Sequence, residues 1–243
     1  MSKQNRWFPL FFLSALVTLG AVLLLLPHLE RRMAVQTLAV AQSNRPVVVL
    51  DAGHGGFDGG AQANGINEKE INLAITQKER MLCTLFGFQV VMTRDEDESI
   101  HDADAANKKR SDMHKRLAVM LADPQSVTVS IHLNKFTQTS ARGAQVFYAP
   151  AAPDSNILAQ TIQDSFRLLL QPENKREIKK ADKSLYLLYN NKITPAVLVE
   201  CGFISNEGEA ALLKTEKYQD QVAMTICYSL MKFQNRGETQ SAA

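Results

Sequence analysis

Cysteine is scarce in this chain of 243 residues: there are three, Cys83, Cys201 and Cys227. They are too few and too scattered for a disulfide framework or a CxxC metal knuckle, and at most one bridge can form, leaving one thiol over. Excess charge is also missing. The formal net charge is +2, and no Lys/Arg run is interleaved with aromatics, which excludes a nucleic-acid partner. There is no internal repeat and no low-complexity tract, so solenoid and fibrous classes drop out. What remains is 45% hydrophobic and 21% charged. About 200 residues beyond an N-terminal segment suffice for one sizeable core, hence one domain.

One long apolar run is present. From Trp7 to His28 no residue is formally charged, and roughly 20 apolar residues match the hydrocarbon thickness of a bilayer. A soluble helix would show a polar side. The reading is a membrane anchor, a transmembrane helix within residues 1–29, followed by a polar linker over 30–44. Cleavage as a signal peptide at Ala39-Val40-Ala41 is the alternative. That site lies far beyond the apolar run, with Glu30, Arg31 and Arg32 between. Lys3 and Arg6 are nearly matched by Arg31 and Arg32, so charge leaves the orientation open.

The rest alternates strand and helix patterns. Pro46-Val-Val-Val-Leu-Asp51 reads as a buried strand running into the glycine-rich loop 53–60. That loop lacks the Gly-Lys-Ser/Thr ending of a phosphate-binding loop. Asn67 with Glu70 suggests a capping box opening a helix that stops at Gly87. Further strands are expected at Gln89 to Thr93, Ser126 to His132, Ala144 to Tyr148 and Ala196 to Glu200. Helices are expected at Ala103 to Leu121 (with Lys108, Lys109 and Arg116 on its charged side), Asp154 to Leu170, and Glu207 to Phe233. This order predicts a single α/β domain over 45–236, with a mostly parallel sheet, helices on both faces and a disordered tail at 237–243.

In such sheets ligands gather beyond the carboxyl ends of the strands. His54 follows the first strand, His132 ends the Ser126 strand, Glu200 ends the Ala196 strand, and Glu68 opens the first helix. Two imidazoles and a carboxylate, with a fourth position left to water, make a catalytic zinc shell. A second carboxylate can carry protons. Taken singly, each residue also has an ordinary structural explanation, and the residues alone reach only metal-assisted hydrolysis of an amide-like bond.

Four local motifs occur in order: Leu50-Asp-Ala-Gly-His-Gly-Gly, Glu68-Lys-Glu-Ile-Asn-Leu73, Val129-Ser-Ile-His-Leu-Asn134 and Val197-Leu-Val-Glu-Cys-Gly-Phe-Ile-Ser-Asn206. Together they resemble the amidase-3 family of N-acetylmuramoyl-L-alanine amidases, over roughly Val47 to Phe233. The resemblance implies one zinc per chain held by His54, Glu68 and His132, with Glu200 as general base. It also implies peptidoglycan as substrate and an extracytoplasmic catalytic domain, which gives the anchor its direction. A lone domain without wall-binding repeats resembles the spore-cortex amidases of endospore formers. Such a chain is expected to depend on a protein regulator. The competing functions are a zinc hydrolase of the same fold acting on another amide or peptide, and a non-catalytic peptidoglycan-binding protein.

Ala52 replaces the family's proline and is expected to relax the turn; Leu133 replaces a small residue and is expected to narrow the cleft or alter substrate fit. Glu70 is an alternative ligand already explained by capping. Asp51 is read as fixing the loop or orienting a histidine, Asp58 as a turn residue, and His101 and His114 as surface residues. Cys201 has no histidine at a spacing that would make it a nucleophile.

Overall fold

The computed structural model describes residues 46–241. The apolar N-terminal segment, its alternative cleavage site and the linker lie outside them. Among the described residues no helix is long and apolar enough to cross a membrane. Strand β1 (Val47–Ala52) leads through the glycine loop and a small hairpin, β2 (Gln62–Ala63) and β3 (Ile66–Asn67), into α1 (Glu68–Leu85). Then follow β4 (Gln89–Met92), α2 (Lys108–Met120), β5 (Val127–Asn134), β6 (Gln145–Tyr148), α3 (Ser155–Leu169), β7 (Lys179–Lys180) and α4 (Tyr186–Asn190). The chain closes with β8 (Ala196–Phe203), α5 (Glu207–Leu213) and α6 (Glu216–Ser241).

Six strands form one sheet in the order β4-β1-β5-β8-β6-β7. All pairings are parallel except β6 against β8. The pleat sends alternate residues to opposite faces, and both faces are covered. Val48, Leu50, Val129, Ile131, Val197 and Val199 join the larger core, with α1, α3, α5 and α6. Val49, Ala196 and Leu198 join Met120 of α2 and Leu187 and Leu188 of α4 in a second core. On that second face the strands turn polar toward their carboxyl ends, with Asp51, Ser130, His132 and Glu200 in the same alternation.

Several details depart from expectation. Helix α2 starts at Lys108, later than Ala103, because Asn107 caps it by accepting from the Arg110 amide at 2.9 Å. The C-terminal helix is two helices, and Thr215 starts the second by accepting from the Tyr218 amide. Helix α6 continues to Ser241, into residues read as a disordered tail. No capping box forms: Asn67 donates to the Glu70 carboxylate at 3.2 Å and accepts no helix N–H. Arg116, assigned to a charged face, is 1% exposed. Between Asn134 and Val197 only one full helix and the five-residue α4 intervene, so no long extra helix shields the sheet edge.

The core also holds Glu79 of α1, fully buried with both carboxylate oxygens unpartnered. Burial first, then the neighbouring Cys227, pushes its carboxyl well above the ordinary 4.5. The unfolded chain ionises this group near 4.5 while the fold keeps it protonated, so stability falls as pH rises above that value. Glu79→Met is expected to stabilise the fold at neutral pH by about 1–3 kcal/mol, and by less below pH 4.5. Denaturant unfolding of both proteins at the two pH values checks this.

Candidate metal centre

The fold brings His54, Glu68, His132 and Glu200 into one cleft of about 370 Å³, between the carboxyl edge of the sheet and helices α2 and α4. His132 and Glu200 are direct register partners on parallel β5 and β8, so their side chains share a face. The register shifts immediately beyond them, between His132 and Asn134, the kind of irregularity that re-aims side chains beside sites. Glu68 sits on the first residue of α1. His54 leaves β1 with φ 61°, a left-handed conformation strained by about 1–3 kcal/mol for a non-glycine residue.

Ligand-type atoms of His54, Glu68 and His132 all lie within 4.8 Å of one another, the one such grouping among the described residues. Glu68 Oε1 is 3.3 Å from His54 Nε2 and 3.0 Å from His132 Nδ1. The backbone amides of Ala61 (2.7 Å, to Oε2) and Leu133 (3.1 Å, to Oε1) fix the carboxylate, with Asn72 Nδ2 at 3.3 Å. Burial opposes the Glu68 charge, but hydrogen bonds from both imidazoles hold its carboxyl far below the usual range. Two imidazoles and a carboxylate converging this closely suit a divalent zinc ion in donor type and number. Two glycines make the approach possible. A Cβ on Gly53 would overlap the His132 ring, and one on Gly60 (φ +68°) would lie 2.6 Å from Glu68 Oε2.

Behind these donors lies a shell that sequence reasoning only partly found. Asp58, read as a turn residue, accepts from His54 Nδ1 at 3.2 Å and pairs with Lys109 at 3.1 Å. A carboxylate on the far nitrogen fixes ring orientation. Burial lowers the His54 pKa, but the carboxylates of Glu68 and Asp58 raise it more. Asp51 makes no direct bond to a histidine. It accepts from Thr93 (2.7 Å), Ser130 (2.5 Å) and Arg116 (2.8 Å), so it fixes the loop base. Arg116 also donates to the Ala52 and His54 carbonyls and to Asp112. Arg94, unremarked in the sequence, is 2% exposed and donates to the carbonyls of Ala52, Gly53 and Lys69. Two buried guanidiniums therefore grip the segment that carries His54.

Glu200 lies apart from the donor grouping, and its Oε2 has no hydrogen-bond partner. Burial raises its pKa to about 7, with the charge of Glu68 adding to the effect and the two imidazoles opposing it. Leu133, expected to narrow the cleft, is 2% exposed and packs into the larger core. It still lines part of the cleft, and its amide is bonded to Glu68. Ala52 keeps strand pairing with Ile131 up to the loop. His101 contacts Ser99 and Phe57, His114 stacks on Tyr186, and neither belongs to the donor grouping. Cys201 is fully buried, which pushes its thiol well up and excludes it as a nucleophile.

An unpartnered carboxylate beside a three-donor grouping that could hold a metal ion is an arrangement that suits metal-assisted hydrolysis. Residues 48–232 match the family model described as N-acetylmuramoyl-L-alanine amidase, and the chain belongs to that family. It is 33% identical over 190 residues to the germination-specific N-acetylmuramoyl-L-alanine amidase of Bacillus subtilis (strain 168), covering 77% of this chain and 79% of that protein. It superposes on the CwlD amidase from Clostridioides difficile, solved in complex with the GerS lipoprotein, with TM-score 0.74 and 38% identity over 79% of this chain and 99% of that one. An N-acetylmuramoyl-L-alanine amidase from Clostridium difficile 630 aligns with TM-score 0.68 and 29% identity, over 79% and 98%.

Proposed function

We propose that His54, Glu68 and His132 hold one zinc ion and that Glu200 acts as general base and acid in an N-acetylmuramoyl-L-alanine amidase. The amidase activity itself, hydrolysis of the amide between N-acetylmuramoyl residues and the L-alanine of the stem peptide, follows from family membership and close relatives. The observation that carries the residue assignment is the donor grouping facing an unpartnered, register-paired Glu200 in one cleft. Zinc bound there would supply Lewis acidity, acidifying water and polarising the amide carbonyl.

The remaining chemistry belongs to the chain. Glu200 Oε2 is free to take a proton from the attacking water, and a carboxyl raised to about 7 is able to return it to the departing alanine nitrogen. Asp58 keeps His54 turned inward through Nδ1. Among the described residues no long extra helix is inserted between Asn134 and Val197 to close the cleft, which leaves room for a bulky glycan substrate.

The relatives named for germination and CwlD support action on spore cortex peptidoglycan. The CwlD complex with a lipoprotein supports a protein regulator. In this reading residues 45–236 form the catalytic domain, outside the cytoplasm, behind a linker over 30–44 and an anchor over 1–29. Digestion of purified peptidoglycan tests the activity. Free stem peptides with an L-alanine amino terminus are expected; cleavage at any other bond would assign the cleft to a different amide.

A further inference from the structure

Cys83 of α1 and Cys227 of α6 face each other across a helix seam with their sulfurs 3.3 Å apart, and both are fully buried. Burial by itself needs no pairing, because a thiol is a good small apolar filler. Cys201 plays that part in the same core: its Sγ meets only a carbonyl of its own strand, Val199, at 3.7 Å. Cys83 and Cys227 differ from it in having each other.

Their meeting is set by more than one pair of rotamers. Helices α1 and α6 pack along each other, and Lys78 bonds Asp220 at 2.6 Å across the same seam. Lys78 precedes Cys83 by five residues and Asp220 precedes Cys227 by seven, so both contacts run in the same direction along the two helices. A disulfide requires a sulfur separation of about 2.05 Å, so the sulfurs must close by roughly 1.3 Å. Cys83 lies in the last turn of α1, followed by exposed Leu85 and Phe86. Helix ends fray most easily, and that turn is where the adjustment and the entry of an oxidant would occur.

We propose that Cys83 and Cys227 form a disulfide that fastens α1 to α6 and leaves Cys201 as the one free thiol. The bond forms by thiol–disulfide exchange with an external disulfide, either a small molecule or a thiol oxidoreductase. One protein thiolate attacks the donor and expels the first donor thiol. The second protein thiolate then attacks the mixed disulfide and expels the other. The protein loses two protons and two electrons, and the donor disulfide takes them up and is reduced to two thiols. An extracytoplasmic domain, as proposed above, works where such donors persist. The bridge closes a 144-residue interval and restricts the unfolded chain. It also ties the end of the helix whose first residue is Glu68.

The test uses the full-length chain in detergent, incubated with oxidised glutathione or with dithiothreitol, then alkylated after unfolding and mapped by mass spectrometry. The expected result is loss of two of the three thiols, a Cys83–Cys227 cross-linked peptide, and a Tm several degrees higher in the oxidised form. Cys201→Ser keeps the pair and is expected to behave the same; Cys227→Ser is expected to show no cross-link. Three alkylated thiols after prolonged oxidation, a persistent glutathione adduct, or a bridge through Cys201 would overturn the proposal. No outcome depends on wall-cleaving activity, so the result stands apart from the catalytic assignments.

Discussion

Glu200→Gln is expected to leave the protein folded and carrying about one zinc per chain while turnover on peptidoglycan falls by about 10²–10⁴-fold. Glutamine matches glutamate in shape and cannot accept a proton. Glu200 stands outside the donor grouping, so metal content should not follow activity down. Burial raises its pKa from 4.5 to about 7. The base is the ionised form, so activity is present above the folded pKa and lost as pH falls through it. A cation seated among His54, Glu68 and His132 moves that limb to lower pH. The variant should lose the limb altogether. Metal analysis beside stem-peptide release across pH checks all three statements, and a fully active variant would remove Glu200 from the mechanism.

Arg116→Met should be the most damaging change away from the cleft floor. Its guanidinium is buried and satisfies Asp51, Asp112 and the carbonyls of Ala52 and His54. Removing one member of a buried ion network costs about 3–5 kcal/mol, because the partners are left charged and unpaired. For a domain of this size that lowers Tm by about 6–20 °C. Asp51→Asn in the same chain should restore part of the loss. Burial pushes the Asp51 pKa up, yet Arg116, Ser130 and Thr93 bring it from 3.8 down to about 2. Its stabilising contribution is full above 3.8 and disappears as pH falls toward 2, amounting to about 2 kcal/mol. Acid unfolding followed by circular dichroism should show that window in the wild type and not in Arg116→Met.

The contrast between Glu200 and Arg116 also marks what a sequence can reveal here. Strand ends were legible because Pro46 to Asp51 and Ala196 to Glu200 are apolar runs that stop at polar residues, and Ser126 to His132 is an alternating, β-rich stretch that ends on one; such stops in an α/β sheet share one edge. That put His54, His132 and Glu200 together. Arg116 and Arg94 were not legible. Arg116, at helical spacing beside Lys115, reads as solvated, and Arg94 follows a strand with nothing nearby to mark it; what holds both is the distant Ala52 carbonyl together with other partners that spacing does not reveal. Asp58 was missed for a related reason, since its partner nitrogen is aimed by the left-handed backbone of His54, which the residue type does not announce. The hairpin β2–β3 and edge strand β7 have two residues each, too short for alternation to show. The break between α5 and α6 turns on one hydroxyl, that of Thr215.

The donor assignment carries the rest of the account, and metal content after purification and exhaustive dialysis tests it most directly. The wild-type and Glu200→Gln proteins should each retain about one zinc per chain, and His132→Ala, still folded by circular dichroism, should retain almost none. A His132→Ala protein that holds zinc as the wild type does would contradict a centre built on His54, Glu68 and His132.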